Sequence, residues 1–368
     1  MRGIAGPRFR TGIVVLALAS GICFAARGWA RGPVEAVLLL KGGQIVDGTG
    51  DPIRSGDVAI RDDRIVAVGQ FRLKRADWVL DCRGLVIAPG FIDLHTHCDG
   101  PIVRAGTRAN VNYVTQGCTT VVTGNCGGGP IDVKKFYEQI EAHGAGTNVA
   151  HLIPQGTVRG HTIGSKQRAA TEAEIEKMQE LVKQGMQAGA WGMSSGLIYV
   201  PSSYADTDEL VALARVVAVH GGIYASHIRN EGAKLLEAVR EALEIGRRAG
   251  LPVHISHFKS SGRDAWGLVR KAADQIEEAR RRGQRVTADQ YPYIASSTSL
   301  AAMVVPTWAR AGGHSQLVKR LDDPESGRRI RKAIAANLEK RNGGESLMVA
   351  RCKGHPDWVG KRLTEIAS

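Results

Sequence analysis

From Val86 onward the chain repeats one unit: a short apolar run, a loop, then an amphipathic helix. That alternation admits few folds, because a strand–helix–strand succession sets neighbouring strands parallel and covers both faces of their sheet. Strands are expected at residues 91–95, 119–123, 148–154, 192–195, 222–227, 253–257 and 286–291. Between them, Thr171 and Glu174 make a capping-box pattern ahead of a helix with Ile175, Met178, Leu181, Val182 and Met186 on one face. Further helices are expected at 209–219, at 234–248 before Gly250, and at 265–282. The fold class is therefore α/β, a (β/α)8 TIM-type barrel over residues 87–368 with seven of its eight units visible. Residues 315–368 give mixed helical and turn signals, with one strand candidate at 347–350. A barrel short of a strand carries two unpaired edges. The expectation is that the chain stops early or that one strand is misplaced in this reading.

Residues 31–86 read as a small all-β, sandwich-like domain ahead of the barrel. Alternating stretches at 36–40, 44–46, 57–60 and 64–68 are divided by turns such as Asp47-Gly48-Thr49-Gly50. Residues 1–30 are set apart as a signal peptide: Arg2, Arg8 and Arg10 precede an apolar run from Gly12 to Ala26, then Gly28-Trp29-Ala30. The run is short for a spanning helix, which needs ~20 residues. Export to a bacterial periplasm or medium is expected, with an uncleaved N-terminal anchor as the alternative. Cys23 follows Ile22, a poor fit to a lipoprotein site.

The net charge of +13 raises the question of nucleic acid, but the basic residues are scattered and only 5% of residues are aromatic. No nucleic-acid partner is expected, and no stable membrane partner beyond that anchor. Six cysteines are too few for a disulfide scaffold in 368 residues. Cys82, Cys98, Cys118 and Cys352 read most simply as buried thiols, although an exported protein could pair some.

Five side chains at strand ends carry the chemistry: His95, His97, Cys126, His227 and His257. Residues two apart on a strand share a face, so His95 and His97 aim at one place. By the same rule His254, three residues before His257, faces the surrounding helices and is read as structural. Imidazole nitrogen and thiolate sulfur are ordinary zinc ligands, and strand ends are where a parallel barrel places its chemistry. The pattern points to a metal hydrolase.

Pro89-Gly90-Phe91-Ile92-Asp93-Leu94-His95-Thr96-His97 resembles the first signature of the amidohydrolase superfamily. Gly124-Asn125-Cys126-Gly127, Ser194-Ser195-Gly196-Leu197-Ile198-Tyr199, Ser226-His227-Ile228-Arg229-Asn230-Glu231, Ile255-Ser256-His257-Phe258-Lys259-Ser260 and Asp289-Gln290-Tyr291-Pro292-Tyr293 narrow the resemblance to the D-aminoacylase (N-acyl-D-amino-acid deacylase) family. It covers residues 36–368. The resemblance implies that Cys126, His227 and His257 hold a tightly bound zinc, and that His95 and His97, bridged by Cys126, form a weaker second position. It implies that Lys259, Tyr199, Tyr291 and Ser297 bind the substrate carboxylate and acyl amide, with Arg229 either helping or serving as a structural ion-pair partner. Hydantoinases and dihydroorotases bridge their metals through a lysine after the fourth strand, where this chain has Gly192-Met193-Ser194-Ser195-Gly196.

One departure concerns proton transfer. The family places a catalytic aspartate at the end of the eighth strand, and no matching segment follows Tyr293. No catalytic residue is assigned here, and the expected aspartate lies beyond Ser368. Asp99 and Asp289 are the nearby carboxylates, Asp289 being expected to hydrogen-bond within the barrel. The expected activity is zinc-dependent hydrolysis of N-acyl-D-amino acids to a carboxylate and a D-amino acid. The alternatives are a cyclic-amide or dipeptide hydrolase on the same scaffold, and a non-catalytic, truncated metal-binding homologue.

Overall fold

The computed structural model describes residues 32–367, so the export segment read at 1–30 lies outside the described residues. The chain divides into two compact units, Met1–Pro89 and Gly90–Ser368. Among the described residues, no helix is long and apolar enough to cross a membrane.

The first unit holds β1 (Val34–Ile45), β2 (Arg54–Arg61), β3 (Arg64–Gly69), β4 (Leu73–Asp81) and β5 (Val86–Ile87). They form one five-stranded sheet in the order β3-β2-β1-β4, with β5 also beside β1. β1 to β3 are antiparallel neighbours, whereas β4 and β5 run parallel to β1. Two details differ from the sequence reading. The stretches 36–40 and 44–46 are one strand, because Lys41-Gly42 is absorbed as a bulge and not used as a turn. β4 was not foreseen: Lys74, Arg75, Asp77 and Asp81 interrupt its apolar alternation, and most of it is exposed. Val34, Ala36, Leu39, Ala59 and Ala67 make the core of this unit.

The second unit is built on β6 (Phe91–Asp93), β7 (Cys118–Thr123), β8 (Asn148–Pro154), β9 (Gly192–Gly196), β10 (Ile223–His227), β11 (Val253–Ile255) and β12 (Val286–Ala288). These seven strands lie side by side in chain order, every pair parallel, as in a TIM-type barrel. The helix Glu172–Gln187 begins with the expected capping box between Thr171 and Glu174. With the helices Thr207–Val219 and Leu235–Ala249, it packs Met178, Val182, Leu210, Leu213, Val217, Val239 and Ile245 onto Ile153, Met193, Tyr224 and Val253. Each such burial is worth roughly 1.5–3 kcal/mol, and this layer holds the strand ends in place.

The 347–350 candidate is not a barrel strand; it makes one isolated bridge, Met348 to Arg362. Several barrel strands are shorter than expected. β6 ends at Asp93, β11 at Ile255 and β12 at Ala288, so the chain leaves the ladder just where the candidate ligands begin.

Candidate metal centre

His95 and His97 therefore lie past the end of β6, and the same-face rule for a strand does not apply to them. What brings them in is a turn. Asp93 Oδ1 accepts the His95 N–H at 3.0 Å, and buried Thr96 is tied to Val122 O through its own N–H (3.1 Å) and hydroxyl (2.7 Å). Thr96 points inward while the two histidines flank it.

Cys126 follows β7 in the run Gly124–Gly129. Its φ of 54° is left-handed, uncommon for a residue with a side chain. The surroundings enforce it. Buried Ser194 on β9 accepts the Gly127 N–H at 2.9 Å and donates to Gly124 O, and Asp99 Oδ1 accepts the Gly124 N–H at 2.6 Å. His227 is the last residue of β10, and His257 lies beyond β11 with φ 37°.

These elements bring the five side chains into two groups, His95–His97–Cys126 and Cys126–His227–His257, each with its ligand atoms within 4.8 Å of one another. Cys126 Sγ lies 3.3 Å from His95 Nε2 and 3.7 Å from His257 Nε2, and the latter is 2.8 Å from His227 Nδ1. Ligands of one tetrahedral zinc stand roughly 3.4–3.8 Å apart, given bonds of about 2.0–2.3 Å. The Cys126–His257 separation falls in that range, and the other two, at 3.3 and 2.8 Å, are shorter.

The electrostatics fit a cation as well. Burial and the neighbouring His257 push the His227 imidazole down to about 3, so its ring is neutral and keeps a lone pair. Burial, with the Asp289 and Glu231 charges behind it, pushes the Cys126 thiol up to about 12. A thiolate in this place calls for a positive ion beside it. Two histidines also have carboxylates behind them. His95 Nδ1 meets Asp289 Oδ2 at 3.2 Å, and His257 Nδ1 meets Glu231 Oε1 at 2.7 Å, an arrangement typical of metal-ligating imidazoles.

Residues 79–306 match the amidohydrolase family. The chain belongs to that family. It is 38% identical over 303 residues to a D-aminoacylase of Alcaligenes xylosoxydans xylosoxydans, covering 74% of this chain and 62% of that one. A solved N-acyl-D-glutamate deacylase of Bordetella bronchiseptica, complexed with zinc and a phosphonate mimic of the tetrahedral intermediate, gives a TM-score of 0.77 at 31% identity over 91% of this chain and 67% of that one. A D-aminoacylase with a binuclear metal centre gives 0.74 at 32% identity over 90% of this chain and 67% of that one. The chain spans about three fifths to two thirds of the length of these relatives.

Around this amidohydrolase centre the other expected residues are placed unevenly. Lys259 Nζ donates to Glu231 Oε1 at 2.6 Å and to His257 O at 3.0 Å, and lies 5.4 Å from the centre of the Tyr291 ring. The buried Tyr291 hydroxyl has no hydrogen-bond partner. The Tyr199 ring stands 5.0 Å from His227, but its hydroxyl meets Thr298 Oγ1 at 2.9 Å; the adjacent Ser297 is exposed. Arg229 takes the structural role, held by Glu241 at 2.8 Å and by the carbonyls of Ser203 and Ala205.

His254 requires a correction. The rule that sends it to the helices assumes a strand through His257, yet the strand ends at Ile255. His254 Nε2 instead meets Asp289 Oδ1 at 2.9 Å, so it belongs to the support of His95. Asp289 also accepts the His257 N–H at 3.0 Å; burial opposes its charge, but these bonds hold its carboxyl well below the usual range. Glu231 and Ser194 act through residues distant in the chain, which leaves no local signal of their roles in the sequence. The described cysteines are free; Cys118 and Cys352 are half-buried, unlike the buried Cys82 and Cys98. A cavity of about 740 Å³ opens beside the ligands, lined among others by His97, Asp99, Cys126, Tyr199, Gly128 and Gly160.

Proposed function

We propose that this protein is a zinc-dependent amidohydrolase that cleaves N-acyl-D-amino acids into a carboxylate and a free D-amino acid. The observation that carries the reading is the pair of three-ligand groups sharing Cys126 at the edge of that cavity. Likeness to D-amino-acid deacylases supports the substrate class. Cys126, His227 and His257 would hold the tight zinc, and His95 and His97 with Cys126 a weaker second ion. Zinc bound there would supply Lewis acidity, acidifying a water and polarising an amide carbonyl.

The chain's own residues would do the rest. Asp289 and Glu231 orient His95 and His257. Lys259 would meet the substrate carboxylate as a point charge, sharing its ammonium with Glu231. The unpartnered Tyr291 hydroxyl is a donor free to meet the same group or the acyl oxygen. Tyr199 lines the cavity beside His227 and would pack on the substrate.

The test is amine release from matched N-acetyl-D- and N-acetyl-L-amino acids by the zinc-loaded protein, before and after chelation. Hydrolysis of the D forms alone, lost with chelator and restored by zinc, is expected. No release, or preference for the L forms, would overturn the reading. Ring-opening of dihydrouracil or hydantoin in place of deacylation would favour a cyclic-amide hydrolase.

A further inference from the structure

We infer that Glu231 is a positioning residue that fixes the ligating nitrogen of His257 and the ammonium of Lys259 with a single oxygen. The inference rests on the metal-centre reading above and adds a residue to it.

Glu231 follows β10, whereas His257 and Lys259 follow β11, so its side chain ties together the ends of two strands. The contacts converge on Oε1, 2.7 Å from His257 Nδ1 and 2.6 Å from Lys259 Nζ. Its backbone is pinned as well, the Ser261 N–H donating to Glu231 O at 2.7 Å. The side chain is 15% exposed. An ammonium can only donate, so Oε1, 2.6 Å from Lys259 Nζ, is an acceptor.

That settles the tautomer. An imidazole nitrogen 2.7 Å from a carboxylate oxygen must carry the hydrogen, or two lone pairs would face each other. His257 is thus protonated at Nδ1, leaving the Nε2 lone pair toward Cys126 and His227. Lys259 Nζ also lies 3.0 Å from Nδ1, but an ammonium offers no acceptor to an N–H. Its hydrogens go to Glu231 Oε1 and His257 O. Without Glu231, Lys259 would become the nearest partner of Nδ1. It would donate there, move the ring hydrogen to Nε2 and block the ligating atom.

Such supporting carboxylates are typically worth about 10–100-fold in metal affinity. The experiment compares wild type, Glu231→Ala and Glu231→Gln by cadmium titration, following the thiolate-to-metal absorption of Cys126, with the melting temperature of each metal-free protein. Glutamine keeps an acceptor oxygen for both partners; alanine keeps none. The expected result is a loss of about 10–100-fold for alanine and less than about tenfold for glutamine, with the metal-free melting temperatures of the two variants alike. Wild-type affinity in Glu231→Ala, equal losses in the two variants, or a lowered melting temperature with unchanged affinity would overturn the inference. No thiolate band in the wild type would instead refute the metal centre itself.

Discussion

Ser194 shows how much a single hydroxyl does here. Buried on β9, it closes the Gly124–Gly127 run from both sides, accepting from Gly127 N–H and donating to Gly124 O. Cys126, at φ 54°, depends on that closure. Ser194→Ala would leave a buried N–H and a buried carbonyl without their partner, at a cost of about 1–3 kcal/mol. The expected outcome is a lower urea midpoint together with fewer zinc ions retained per chain after dialysis. A drop in stability with full zinc retention would show that the loop holds its shape without the hydroxyl.

At the scale of elements, the helix Gln155–Ile163 carries two glycines that do different jobs. A Cβ on Gly156 would stand 2.7 Å from Gly127 O, so that glycine permits the helix to touch the Cys126 loop. A Cβ on Gly160 would meet Pro201 Cγ at 3.6 Å, an ordinary contact, so the missing side chain there only enlarges the cavity. Gly160→Ala is expected to stabilise by about 0.5–1 kcal/mol through helix propensity, whereas Gly156→Ala destabilises. Denaturant titration of the two variants checks the opposite signs. The same scale explains what was legible in the sequence. The barrel strands and the Thr171 capping box could be read from period and caps, because their signals lie within ten or so neighbouring residues. β4 could not, since its charged, exposed residues look like loop until β1 supplies a pairing edge. The candidate ligands that the structure brings together were legible by residue type. Their support was not: His254, Asp289 and Glu231 act through residues distant in the chain, and the left-handed turn at His257 breaks the alternation that would have placed His254.

For the whole molecule, metal binding at this centre would be linked to folding. The candidate ligands come from the ends of β6, β7, β10 and β11, and an unfolded chain scatters them. An ion that binds only the folded state adds about 2.7 kcal/mol at a hundredfold excess over its dissociation constant, a rise in melting temperature of roughly 4 °C for a unit of this size. Calorimetry with zinc and with chelator should show that gap. No gap would mean that the ligand groups do not act together.

The dispersal of those ligands has one more consequence. An ion held by Cys126, His227 and His257 would fasten three strand ends that are far apart along the chain, as a rivet fastens overlapping plates. Such a fastener closes long loops, and loop closure is where a cross-link stabilises most. Slippage of any one of the three strands would release it. Retained metal would therefore report that the parallel array is properly assembled, and its loss would be an early sign that some strand has come away.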